Sequence, residues 1–119
     1  MATPKVGAIV IDCNDLDTMV AFWGELLDLE VAARYPEFVF MGKVNGDGPS
    51  LAFQLVPEEK SVKNRAHLDL AGEDREAIVA RVIELGGTRL ADHEIEGFYW
   101  TTCADTQGNE FDVADADEG

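Results

Sequence analysis

Positive charge is what this sequence has least of. Nine Lys and Arg stand against 24 Asp and Glu in 119 residues, a formal net charge of −15. A field of that sign repels phosphates, so it argues against nucleic acid and anionic membrane surfaces as partners and for cationic ones. Cysteine is scarce as well. Cys13 and Cys103 follow no CxxC or zinc-ribbon spacing and read as reduced thiols of a cytoplasmic protein. No apolar run is long enough to cross a bilayer, and the opening "MATPKVGAIVIDC", with its single Lys, does not read as a leader. Histidine is limited to His67 and His93. Any chemistry that needs an imidazole has only these two positions to draw on.

What the chain does have is a repeat. "AIVIDCNDLDTMVAFWGELL" from Ala8 overlies "HLDLAGEDREAIVARVIELG" from His67, an offset of 59 residues. The apolar periodicity coincides, and so do the acidic helix starts, Asp15 with Asp17 and Asp74 with Glu76, where carboxylates cap free N–H groups and suit the helix dipole. Each half opens with an alternating strand, Val6 to Cys13 and Arg65 to Ala71. An amphipathic helix follows. Leu16, Met19, Val20, Trp23, Leu26 and Leu27 form the apolar face of the first; Ile78, Val79, Val82 and Leu85 form that of the second, which ends at Gly86-Gly87. Three further strands follow each helix: 30–34, 37–42 and 51–56, then 88–93, 98–104 and 110–114. "LAFQLV" and "GNEFDV" match at an offset of 58. The expected fold is α+β, two βαβββ modules (about residues 5–57 and 64–114) in a single domain spanning 1–119, forming a curved mixed sheet around a cavity. The last residues of the acidic tail "DVADADEG" are expected to fray.

Strand parity then sorts side chains. Leu68 and Leu70 should pack on the helices, which turns His67 and Asp69 the other way. Likewise Phe53 and Leu55 leave Gln54 inward, and Phe111 and Val113 leave Glu110 and Asp112 inward. Repeat logic gives four equivalent inward positions: Ala8, Gln54, His67 and Asp112. The aromatic run "GFYWTT" offers Tyr99 and Trp100 as surfaces on which a ligand could stack, with Phe38 and Phe40 as further walls. His93, in "DHEIEG" beside a turn, reads as a solvated surface residue.

The duplicated unit, with "IDCNDLDTMVAFWGELL", "NRAHLDL" and "WTTCADTQGNEFDV", resembles the glyoxalase-like domains of the vicinal oxygen chelate superfamily, which includes glyoxalase I, extradiol dioxygenases, and fosfomycin and bleomycin resistance proteins. Thr106 and Gln107 stand where "DTQGNEF" departs from the usual Asp-Pro-Glu-Gly-Asn-Glu-Phe turn. The resemblance implies metal ligands at Ala8, Gln54, His67 and Asp112. Ala8 cannot bind, Gln54 is a weak neutral donor, and Asp112 is a methylene shorter than the usual Glu.

Two functions follow as expectations. The first is a small-molecule-binding protein with a degenerate metal site and no resident metal. It would take an organic, cationic ligand in contact with His67, Gln54, Asp112, Trp100 and Tyr99, in the manner of drug-sequestering bleomycin resistance proteins. The alternative is a lyase, isomerase or dioxygenase in which Gln54, His67 and Asp112 hold Zn, Ni, Mn or Fe, with Asp69 or Glu110 substituting as a ligand or moving a proton. A homodimer is expected on either reading.

Overall fold

The computed structural model describes residues 2–116. The expected fraying of the tail concerns residues 117–119 and lies outside the described residues. The element order is β1 (Ala8–Cys13), α1 (Leu16–Leu27), β2 (Val31–Tyr35), β3 (Phe38–Lys43), a 3₁₀ turn (Val44–Gly46) and β4 (Ser50–Leu55), then β5 (Asp69–Gly72), α2 (Arg75–Glu84), β6 (Thr88–Ile95), β7 (Phe98–Ala104) and β8 (Glu110–Asp115). This is βαβββ twice. The chain divides into two compact units that meet in sequence at Glu59 and Lys60, inside the charged connector. Each unit carries one four-stranded sheet, ordered β1-β4-β3-β2 in the first and β5-β8-β7-β6 in the second. In each the outer pair, β1 with β4 or β5 with β8, is parallel and the remaining pairs are antiparallel.

Both helices start as the carboxylates dictate. Asp15 accepts from the Thr18 N–H at 3.2 Å, and Asp74 accepts from the Ala77 N–H at 3.1 Å. Such caps contribute about 1 kcal/mol each. Helix α1 buries Leu16, Met19, Phe22 and Trp23, whereas Val20, Leu26 and Leu27 are only half-buried. The apolar face is therefore centred nearer Phe22 than the sequence suggests, and Phe22 meets Trp23 edge-on at 5.2 Å. Helix α1 ends on Asp28 in the left-handed region, its N–H returned to Gly24 O. Helix α2 closes into Gly86 at φ +102°, a conformation that glycine adopts without strain.

In the first unit Leu51, Phe53, Val39 and Met41 are buried with α1. In the second, Thr101, Cys103, Phe111 and Val113 are buried with Val79 and Val82 of α2. Burial pushes the Cys103 thiol up to about 11, which leaves it protonated and inert near neutrality. Neither cysteine forms a disulfide, and both are buried. Among the described residues no helix is long and apolar enough to cross a membrane.

The strand expected over Arg65–Ala71 begins only at Asp69. The ladder does reach back to Leu68, whose carbonyl accepts the Asp112 N–H at 2.9 Å. Upstream, side chains take over. Glu110 accepts the Asn64 N–H at 2.8 Å, and Asn64 Nδ2 donates to Asn109 Oδ1 at 3.0 Å. Strand β6 differs in the other direction, running two residues past His93 to Ile95. Glu96 (φ 52°) and Gly97 (φ 85°) make the two-residue hairpin with positive φ at both central positions, which extends the ladder to Ile95 opposite Phe98.

Candidate functional site

On the second sheet, side chains alternate between the face that packs on α2 and the face opposite it. The register puts Asp69 beside Asp112, Asp112 beside Thr102, and Trp100 beside His93. All five belong to the face opposite α2, because their strand neighbours Phe111, Val113, Thr101 and Cys103 are the ones buried in the core.

His67 sits just before β5 and reaches this face. Its Nε2 lies 3.2 Å from Asp69 Oδ1 and 3.2 Å from Asp112 Oδ2. One ligand atom from each of the three residues can be chosen so that all lie within 4.8 Å of one another. Two carboxylates directly across a ladder repel each other, and a positive group between them relieves that repulsion. The Asp112 carboxylate is fixed from its other side, where the Thr102 hydroxyl donates to Oδ1 at 2.7 Å. Thr102 Oγ1 in turn lies 3.1 Å from His93 Nε2, and the His93 ring stacks on Trp100 with centroids 4.9 Å apart and planes 22° apart. Phe98 extends the row of rings, 5.7 Å from Trp100.

The donor set suits a divalent ion. One imidazole nitrogen and two carboxylate oxygens favour Mn, Fe or Zn over thiophilic metals, and three protein ligands leave positions for an oxygen-bearing ligand. Small side-chain rotations bring atoms this close to the separation of donors about 2 Å from a shared ion.

The structure brings His67, Asp69 and Asp112 together, puts Trp100 on the same face of the sheet, and turns Tyr99 to the other face. Tyr99 follows the opposite parity, and its ring lies under the Arg75 guanidinium at 5.9 Å, on the side where Arg75 also donates to Thr101. Glu110 is on the same face as Asp112 but is engaged elsewhere, by Lys60 Nζ at 2.8 Å and the Asn64 N–H. Burial alone would raise its pKa. The Lys60 ammonium and the Asn64 amide outweigh burial and hold it below the usual carboxylate value. Gln54 is exposed on β4 of the first unit, opposite Asp12 on β1 and Phe38 on β3. Ala8, paired with Ser50, starts β1 of the same unit.

The Glu110 interactions carry a prediction. A depressed carboxylate pKa adds stability that is present above the unfolded-state value and lost as pH falls through the folded one. The side chain is only 12% exposed, so its charge-assisted bonds are not fully screened. Glu110→Gln should cost about 1–3 kcal/mol at neutral pH. Urea melts should show that the difference from wild type shrinks as pH drops below the ordinary glutamate range.

Sequence reasoning passed over Thr102 and read His93 only as a solvated surface residue; His93 is exposed, and it also contacts Thr102 and stacks on Trp100. Thr102 was within reach, since it shares parity with Trp100 in "WTTCA". His93 required reading "EIEG" as a two-residue hairpin; counting back from that turn puts His93 opposite Trp100.

Residues 8–114 match the family model described as glyoxalase-like domain, and the chain belongs to that family. No curated protein matches it. Among solved structures, an enzyme of the glyoxalase/bleomycin resistance protein/dioxygenase family from Burkholderia phytofirmans PsJN is similar at 19% identity and a TM-score of 0.78, covering 94% of this chain and 98% of its own. A lactoylglutathione lyase from Agrobacterium tumefaciens is similar at 18% identity and a TM-score of 0.69, covering 97% and 96% respectively. A fosfomycin resistance protein from Listeria monocytogenes, complexed with Mn(II) and 1S,2S-dihydroxypropylphosphonic acid, is similar at 13% identity and a TM-score of 0.77, covering 96% and 90%. At such identities these likenesses establish the fold alone.

Proposed function

We propose that this chain binds a small organic molecule on the second sheet, on the face opposite α2, beside a divalent ion held by His67, Asp69 and Asp112. The observation that carries this reading is the convergence of three ligand atoms within 4.8 Å. It favours an ion over the metal-free site expected from the sequence, because Asp69 offers a donor that Ala8 cannot. The solved relative from Listeria monocytogenes, which carries Mn(II), supports the same direction. When bound, such an ion would act as a Lewis acid toward oxygen atoms of the ligand. The chain's own part is to fix the donors. Thr102 holds Asp112 in one orientation, so that Oδ2 is the oxygen left for the site. Glu110 is assigned to anchoring the connector through Lys60 and Asn64, since its ion pair opposes a role in proton transfer.

Titrating the metal-free protein with Mn²⁺, followed by loss of the free-ion EPR signal, tests the proposal. One saturable site per chain is expected, and Asp69→Asn should weaken it. The absence of saturation would refute it.

A second reading keeps the same face but dispenses with the ion. The −15 charge and the His93–Trp100 stack favour a planar cationic ligand, taken up without chemistry. On either reading we propose a homodimer. The edge strands β2 and β6 carry exposed Val31, Tyr35 and Ile95, and light scattering at micromolar concentration should give twice the chain mass.

A further inference from the structure

The hydrogen bonds around Thr102 determine which nitrogen of His93 carries the proton. A hydroxyl has one hydrogen to give, and an ionised carboxylate can only accept. Thr102 therefore donates to Asp112 Oδ1 at 2.7 Å, and the contact with His93 Nε2 at 3.1 Å is satisfied only if Nε2–H donates to Thr102 Oγ1. In its neutral form His93 is then the Nε2–H tautomer, with Nδ1 left as an acceptor. Nδ1 makes no hydrogen bond among the described residues, and His93 is exposed.

We propose that His93 Nδ1 is a ligand-binding acceptor, held in that tautomer by Thr102, which takes an N–H from a planar cation such as an amidinium or guanidinium group. Three observations select this chemistry. A donor hydrogen-bonded to Nδ1 in the imidazole plane lies within about 22° of parallel to the Trp100 indole, which suits a flat group better than a tetrahedral ammonium. Asp112, reached from His93 through Thr102, together with Asp69 supplies negative charge on the same face. The chain as a whole carries 24 acids against nine bases. Asp112 and the β6 strand that bears His93 are two interstrand spacings apart, roughly 10 Å, so one small molecule can address both ends of the face. The inference rests on the reading of this face as the ligand site, and not on the metal.

The test uses metal-free protein, so a failure of the ion site and a failure of His93 stay distinguishable. At about pH 8, where an ordinary imidazole is neutral, ¹⁵N–¹H correlation spectra of ¹⁵N-histidine protein should show His93 as the Nε2–H tautomer. Thr102→Ser should keep that pattern and Thr102→Val should lose it. Benzamidine is the probe. It should shift His93 Nδ1 and the Trp100 indole resonance saturably, with Kd of the order of 1 mM. His93→Ala should weaken it about tenfold, the worth of one hydrogen bond, while Glu73→Gln, at an exposed acid in the turn before α2, changes it less than about twofold. An Nδ1–H tautomer in the wild type, a tautomer unchanged by Thr102→Val, no saturable shift with benzamidine, or equal affinity in His93→Ala would each overturn the proposal.

Discussion

His67→Ala is expected to lower Mn²⁺ affinity at least 100-fold without unfolding the protein. Removing a residue that merely orients a metal ligand costs about 10–100-fold, so removing a ligand should meet or exceed the upper end of that range. His67 contributes the only nitrogen among the three converging donors, and its Nε2 is 3.2 Å from each carboxylate partner. The residue lies outside regular structure and its side chain is 37% exposed, so the fold does not depend on packing it. The loss should therefore appear in binding and leave thermal unfolding nearly unchanged. Asp69→Asn should weaken binding too, by deleting charge while keeping shape. Glu73→Gln, an exposed acid in the turn between β5 and α2, should leave it unaltered.

The second large effect concerns the strand behind the site. Phe111 is 1% exposed on β8, directly before Asp112, and its side chain points into the α2 core while that of Asp112 points away. Truncation to alanine should destabilise the protein by about 3–5 kcal/mol through lost burial and a residual cavity. That is a large fraction of the about 5–15 kcal/mol typical of a whole domain. Chemical denaturation measures it directly. Because β8 also positions Asp112, Mn²⁺ binding to Phe111→Ala should weaken at temperatures where the variant begins to melt and recover on cooling. A binding defect that persisted in fully folded Phe111→Ala would mean that the site is coupled to the core more tightly than strand register alone requires.

Local chemistry made much of this legible in the sequence. The acidic caps at Asp15 and Asp74, the alternation in "EFDVA" and the Gly86 helix end each depend on neighbours a few residues away, and each appears as read. Three features depend on partners that are distant in sequence. The late start of β5 comes from Asn64 bonding to Glu110 and Asn109, more than forty positions on. The commitment of Glu110 to Lys60 spans a similar distance. Parity did give His67, Asp69 and Asp112 a common face, but only the register of β5 against β8 makes Asp69 the neighbour of Asp112. The repeat pointed to Ala8 as the missing partner of His67; the pairing within the second sheet puts Asp69 beside Asp112 and 3.2 Å from His67 Nε2.

Electron spin-echo modulation of Mn²⁺ bound to the protein tests the central claim most directly, because it reports which nuclei lie next to the ion. The expected result is ¹⁴N modulation from one imidazole, present in wild type and in His93→Ala and absent in His67→Ala. Bound Mn²⁺ with no nitrogen modulation, or modulation that survives His67→Ala, would contradict the account.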